Sequence, residues 1–221
     1  MKITANTNEI VKNEVISIFP TPIVKTNIGR EFTEDEINCI LNIPMMEKED
    51  SSSGNHQSKD DYLFDNFANE ELEDIKCFCE HELKQYLEHI EGVDTGVAGL
   101  RITQSWLNKN KPQEQHLPHV HRNSYLSAVL YIKCLPNDGI NFDYGREHYN
   151  NMEFLKNKAT IWNARGAMVD VEEGNLLIFP SWITHSVNIN ETENKERISL
   201  AFNTFPIGEL RDNTGGSHLK L

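Results

Sequence analysis

From Gly99 to Phe205 the sequence does not support a long helix. It breaks into short runs, "GLRITQSWLN", "LSAVLYIKCL", "GINFDY", "ATIWNA", "AMVDV", "GNLLIFP", "HSVNI" and "RISLAFNTF", each alternating or continuously apolar and separated by turn-forming residues. About eight such strands with turn signals between them predict a double-sheet jelly roll. A sheet this apolar must be covered on both faces, so the helices read upstream are expected to pack on one of them. The fold class is therefore mainly β with flanking N-terminal helices. Residues 1–97 are read as the N-terminal strand and helices and 98–221 as the β core, the whole forming one compact domain.

In the N-terminal part, "VISIFPTPIV" (15–24) is β-branched and apolar, and Pro20 and Pro22 restrict it to an edge strand or an extended segment. In "TEDEINCILNIP", Thr33 and Glu36 form a capping-box pair, Ile37, Ile40 and Leu41 an apolar stripe, and Pro44 a stop. The polar stretch "EKEDSSSGNHQSKDD" (47–61) has no periodicity and reads as a mobile loop, a candidate lid. After it, with Asn69 as N-cap, Leu72, Ile75, Cys79, Leu83, Tyr86 and Ile90 recur at helical spacing before Gly92. They predict one long amphipathic helix.

A formal net charge of −13 and the lack of any Lys/Arg cluster argue against nucleic acid or an anionic membrane as partner. Cys39, Cys77, Cys79 and Cys134 have neither zinc-knuckle nor disulfide-framework spacing and read as reduced thiols. The opening "MKITANTNEI" lacks a signal pattern, and no apolar run approaches the ~20 residues that span a bilayer. A cytoplasmic protein is the expectation.

The chemistry concentrates in "EQHLPHVHRNSYLSAVLYIK" (114–133). Residues two apart in a strand point the same way, so His119 and His121 offer two imidazoles to one side, a pair suited to a first-row metal. His185, in "GNLLIFPSWITHSVNIN", follows an apolar strand and a proline turn, where a jelly roll can return it opposite the pair. Two neighbouring ligands and one remote one leave coordination positions open, which implies chemistry at the metal. His116 lies at odd spacing from both neighbours and is left out of the ligand set. His56, His81, His89, His148 and His218 read as solvated or structural.

If Arg197–Phe205 is a strand, Arg197, Ser199, Ala201 and Asn203 share one face and Ile198, Leu200 and Phe202 the other. An arginine and a serine facing into a barrel beside a metal suit a carboxylate, held by guanidinium and hydroxyl. Across the barrel, Ser127, Val129 and Tyr131 share a face, so the Ser127 hydroxyl and Tyr131 phenol are candidates to complete the anion pocket. Tyr131 is equally readable as a core aromatic.

Taken in order, "IFPTPIV", "TQSWLN", "HVHRNSYLSAVLYI", "GNLLIFPSWITHSV" and "RISLAFNTFPIG" resemble the iron(II)/2-oxoglutarate oxygenase superfamily, and within it a prolyl-4-hydroxylase-like group of bacteria and marine phages. The resemblance implies a double-stranded β-helix using Fe(II), 2-oxoglutarate and O2. It implies His119 and His185 as the two histidine ligands, with His121 where a carboxylate usually stands. Arg197 and Ser199 match the pair that holds the distal carboxylate of 2-oxoglutarate, and Ser127 a position that helps bind it. The activity implied is hydroxylation of a substrate C–H bond, with succinate and CO2 as co-products. The chain departs from the more familiar H-x-D by carrying H-x-H, which leaves more positive charge on the metal. It also has Arg122 and "SA" where the group tends to show Pro and "SG".

Two other readings stay open at this level. Gly174, Pro180, His185 and Asn188 fit the second motif of a cupin, although Asn123–Leu126 offer no glutamate where a cupin would place one. A jelly roll holding a structural ion and binding a sugar or a protein is the non-catalytic alternative. The substrate reads only as a small molecule or peptide: a protein residue, an amino acid or a metabolite. Oligomeric state is not legible.

Overall fold

The computed structural model describes residues 17, 20–47, 55–67, 71–143, 155–211 and 217–221. Its centre is an eight-stranded, largely antiparallel sheet facing a four-stranded one, with helices on the outer face of the larger. In the large sheet, β1 (Val24–Asn27) lies at one edge beside β9 (Asn175–Pro180), followed by β6 (Leu126–Lys133), β11 (Arg197–Leu210) and β4 (Ala98–Asn110). The hairpin β2 (Met45–Glu47) and β3 (His56–Ser58) closes the other edge, and β12 (Leu219–Lys220) pairs with the far end of β11. The small sheet runs β5 (His116–His119), β10 (Thr184–Val187), β7 (Gly139–Asp143) and β8 (Gly166–Asp170). This is the two-sheet architecture expected from the strand pattern.

The large sheet is apolar on both sides because both sides are covered. Along β9, Leu176 and Ile178 join the cluster beneath the helices while Leu177 and Phe179 join the one between the sheets. Along β11, Ile198, Leu200 and Phe202 all face the helices. Helix α1 (Glu34–Asn42) contributes Ile40, the short α2 (Leu63–Asn66) Leu63 and Phe64, and α3 (Glu73–Tyr86) Ile75, Cys79, Leu83 and Tyr86. Gly92, at a φ of 68°, ends the last helical turn in the left-handed region that a side chain resists. Among the described residues no helix is long and apolar enough to cross a membrane.

Several expectations need correction. The N-terminal strand forms at Val24–Asn27, just after Pro20 and Pro22, because residues without an N–H cannot donate to β9; positions 15–16 and 18–19 lie outside the described residues. The stretch read as a loop over 47–61 contains β3, which pairs with β4 through His56↔Lys109 and Gln57↔Asn108; residues 48–54 lie outside the described set. Leu41 and Ile90, assigned to buried faces, are exposed. Asn69, expected as the N-cap, is outside the described residues, and α3 begins after Leu72 with no side-chain cap bond. "ATIWNA" is a turn, not a strand. The Thr160 amide donates to Asn163 Oδ1 at 2.8 Å and the Thr160 carbonyl accepts from Ala164, local bonds that compete with a ladder.

The capping box of α1 forms as expected: Glu36 N–H donates to Thr33 Oγ1 at 3.1 Å and Thr33 N–H to Glu36 Oε2 at 2.7 Å. Arg30 adds a two-pronged contact to the same carboxylate at 2.6 and 2.8 Å. Burial alone would raise the Glu36 carboxyl, but the Arg30 guanidinium and the Thr33 backbone hold it below the ordinary value. A carboxyl lowered by folding stabilises above its unfolded pKa and loses that contribution as pH falls through its folded one. Glu36→Gln should therefore cost about 1 kcal/mol at neutral pH. In paired urea titrations the gap from wild type should close as pH drops below about 4.

Candidate metal centre

Two strands and a turn of the small sheet converge three imidazoles. His119, the last residue of β5, pairs directly with His185 of β10. The strand stops there, so His121 does not reach the same side by strand alternation; it sits in the turn beyond, where its N–H donates to the Ser181 carbonyl at 3.0 Å. The outcome is nonetheless one cluster, with a ligand atom from each ring within 4.8 Å of the others. His119 Nδ1 lies 2.7 Å from the Leu117 carbonyl and His185 Nδ1 3.1 Å from that of Ile183. A carbonyl only accepts, so both Nδ1 atoms carry the proton and both Nε2 lone pairs are available as ligands. His121 and His185 Nε2 atoms stand 3.2 Å apart, close to the ~3 Å separating two nitrogens each bound at about 2.1 Å on adjacent coordination positions. Burial, reinforced by His119, lowers the His185 pKa to about 4, so the ring is neutral at ordinary pH. Phe179 packs edge-on against it at 4.8 Å between centroids.

The imidazoles close one side of a cavity of about 460 Å³ whose opposite wall is the inner face of the large sheet. The β11 registers build that wall: Arg197 lies across from Asn110, Ser199 between Asn108 and Tyr131, and Ala201 between Trp106 and Val129. Arg197, Ser199 and Tyr131 all line the cavity. Burial foremost, then the Asp138 carboxylate, pushes the Tyr131 phenol far above its usual value, so it remains a donor. Ser127 is placed elsewhere. It is buried outside the lining, donating to Asn203 Oδ1 at 2.8 Å and meeting Ser181 Oγ at 2.7 Å. There it braces the turn whose carbonyl holds His121. His116, left out of the ligand set, lines the cavity mouth with Nε2 2.5 Å from Asn55 Nδ2.

The sequence reading missed Asp138. Its carboxylate accepts from Arg197 Nε at 2.7 Å and Nη2 at 2.5 Å, and both side chains are almost fully buried. Among the described residues Arg197 Nη1, which is buried, meets no hydrogen-bond partner. A buried arginine needs a counter-acid, and the only sequence hint was an aspartate next to the glycine that starts β7. Also missed were Gln57 and Asp61, in the stretch read as a loop, and Gln104, Trp106 and Asn108, which alternate along β4 and line the cavity.

Residues 104–203, which carry all three histidines and the Arg197–Ser199 pair, match a family model described as "Putative 2OG-Fe(II) oxygenase". The matched segment is thus similar to a 2OG-Fe(II) oxygenase core and spans 100 of the 221 residues. Solved structures agree on the fold. An oxidoreductase of the 2OG-Fe(II) oxygenase family from Burkholderia pseudomallei superposes with a TM-score of 0.53, at 10% identity, over 76% of this chain and 76% of that one. The α-ketoglutarate-dependent epimerase SnoN of nogalamycin biosynthesis gives 0.55 at 13% identity over 88% and 82%. HygX from Streptomyces hygroscopicus, with nickel and 2-oxoglutarate bound, gives 0.52 at 13% over 89% and 89%. At these identities the likeness is one of fold. No curated protein matches the sequence.

The buried Asp138–Arg197 ion pair carries a measurable load. Asp138→Ala strands a guanidinium and should cost about 3–5 kcal/mol, lowering Tm by roughly 6–20 °C in a chain of this size. Replacing both partners, Asp138→Leu with Arg197→Met, should recover most of that loss in a melting scan.

Proposed function

We propose that the protein is a 2-oxoglutarate-dependent hydroxylase with iron(II) held by His119, His121 and His185 and 2-oxoglutarate held by Arg197, Ser199 and Tyr131. The observation that carries this reading is the unpartnered Arg197 Nη1, buried in the lining of a cavity whose other side is three imidazoles. A buried donor with no acceptor costs about 1–3 kcal/mol, and a carboxylate in the cavity would remove that cost. The donor set fits as well: neutral nitrogens from two neighbouring residues and one remote residue bind a first-row ion and leave its other positions open. When bound, the iron couples oxidative decarboxylation of 2-oxoglutarate by O2, giving succinate and CO2, to insertion of the other oxygen atom into a substrate C–H bond.

The chain's own residues orient and exclude. Arg197 donates from Nη1 to the distal carboxylate of 2-oxoglutarate while Asp138 fixes the guanidinium plane through Nε and Nη2. Ser199, registered beside Tyr131, offers a hydroxyl next to the phenol. These donors set the co-substrate's reach towards the metal, since charge-assisted bonds of fixed geometry position as well as bind. Val129, Ile140 and Val187 make the adjoining lining apolar, which keeps water from the reacting atoms. The Nδ1 bonds of His119 and His185 to backbone carbonyls stop the rings from rotating.

Anaerobic addition of Fe(II) and 2-oxoglutarate should give a weak visible charge-transfer band, and admission of air should release succinate. His185→Ala should abolish stoichiometric metal binding. Arg197→Lys keeps a cation beside Asp138 but loses the fork, and should weaken 2-oxoglutarate binding at least tenfold by calorimetry, as expected for about 1.5–3 kcal/mol of charge-assisted bonding. A protein that binds only zinc and gives neither band nor succinate would overturn the assignment.

A further inference from the structure

The cavity has a second polar end that 2-oxoglutarate would not reach. Through the paired residues Gln57↔Asn108↔Ser199, the β3 edge stands two strand spacings, roughly 10 Å, from Ser199. At that edge Gln57 and Asp61 line the cavity. The Asp61 carbonyl accepts from Ser105 N–H at 2.8 Å, which fixes this turn to β4. Gln57 Nε2 donates to Asp61 Oδ1 at 2.7 Å. A carboxylate can only accept, so the amide nitrogen must face it and the amide oxygen must point elsewhere. That oxygen, Oε1, is buried and meets no donor among the described residues, on a residue only 7% exposed.

The charge balance favours the same kind of ligand. Among the described lining residues other than histidine, only Asp61 and Arg197 are charged, and Arg197 is neutralised by Asp138. With three neutral imidazoles as ligands, a divalent ion and the dianionic 2-oxoglutarate cancel. The loaded cavity is then left with the negative charge of Asp61, beside an unpartnered amide oxygen and the Trp106 indole, a ring type that attracts cations. We infer that this wall is the substrate subsite and takes a cationic nitrogen bearing N–H groups, an ammonium or a guanidinium, bound between Asp61 and Gln57 Oε1. This rests on the oxygenase reading for the statement that the bound molecule is the one oxidised. The ligand chemistry itself stands on the wall. An anion would meet Asp61 and an acceptor, and a neutral isostere would gain no charge-assisted bond.

The test is ligand-observed NMR titration of the full chain with matched pairs. 4-Aminobutan-1-ol against butane-1,4-diol represents a free amine, and N-acetyl-lysine amide against N-acetyl-norleucine amide represents a peptide side chain. In at least one pair the cationic member should bind tenfold or more tightly, the gain expected from one charge-assisted bond, and the pair that responds names the source. Asp61→Asn and Gln57→Leu, each checked for an unchanged fold by circular dichroism, should each cut the preference below threefold. Equal binding of both members in both pairs, or a preference that survives both substitutions, would overturn the inference. Selectivity without the visible Fe(II)·2-oxoglutarate band would sink the oxygenase reading and leave this one standing; the band without selectivity would do the reverse.

Discussion

The site depends on the register of β11 between β4 and β6. A strand slipped by one residue turns every side chain to the other face, so a slip here would aim Ile198 and Leu200 into the cavity lined by the three imidazoles and bury Arg197 and Ser199 under the helices. What prevents it is the apolar cluster on the outer face. Ile198, Leu200 and Phe202 each pack among Leu63, Phe64, Ile75 and Leu83 or their neighbours. Those contacts amount to several kcal/mol at about 1.5–3 kcal/mol per buried apolar side chain. The N-terminal helices are thus part of what orients a guanidinium on the opposite side of the sheet.

On the inner face, the same wall resolves two electrostatic problems differently. Arg197 is buried and permanently charged, and it is tolerated because Asp138 meets it with two contacts and nearly complete burial on both sides. His185 is tolerated by being neutral: burial drives its pKa down to about 4 and the Ile183 carbonyl fixes where its proton sits. One device keeps a charge in place by pairing it, and the other removes the charge. Together they give a cavity with a donor at one end and lone pairs at the other.

Much of this was legible in the sequence because the relevant signals are local. Thr33 and Glu36 announce a helix start through bonds that span three residues, and strand alternation alone separates Arg197 and Ser199 from Ile198 and Leu200. What escaped is non-local or competes with the local pattern. Nothing near Asp138 says that an arginine 59 residues later will need it. Gln57 and Asp61 lie in a polar stretch with no period, and its strand exists only because β4 offers an edge to pair with. "ATIWNA" has strand composition, but Thr160 and Asn163 satisfy one another across a turn first. His121 shows the opposite case. The strand argument that placed it does not hold beyond His119, and a backbone bond to Ser181 turns it towards the cluster instead.

In the proposed site the H-x-H pattern bears on more than the ion itself. A carboxylate ligand would bring a negative charge to the ion, next to the reacting centre, where it would act on every substrate in the same way. If His121 holds the ion as proposed, the charge of the loaded cavity is set by Asp61, in the turn after β3 and tied to Gln57. Charge held there can discriminate between substrates by what they carry some distance from the bond that reacts, and a fixed charge away from the reacting atoms orients as well as attracts.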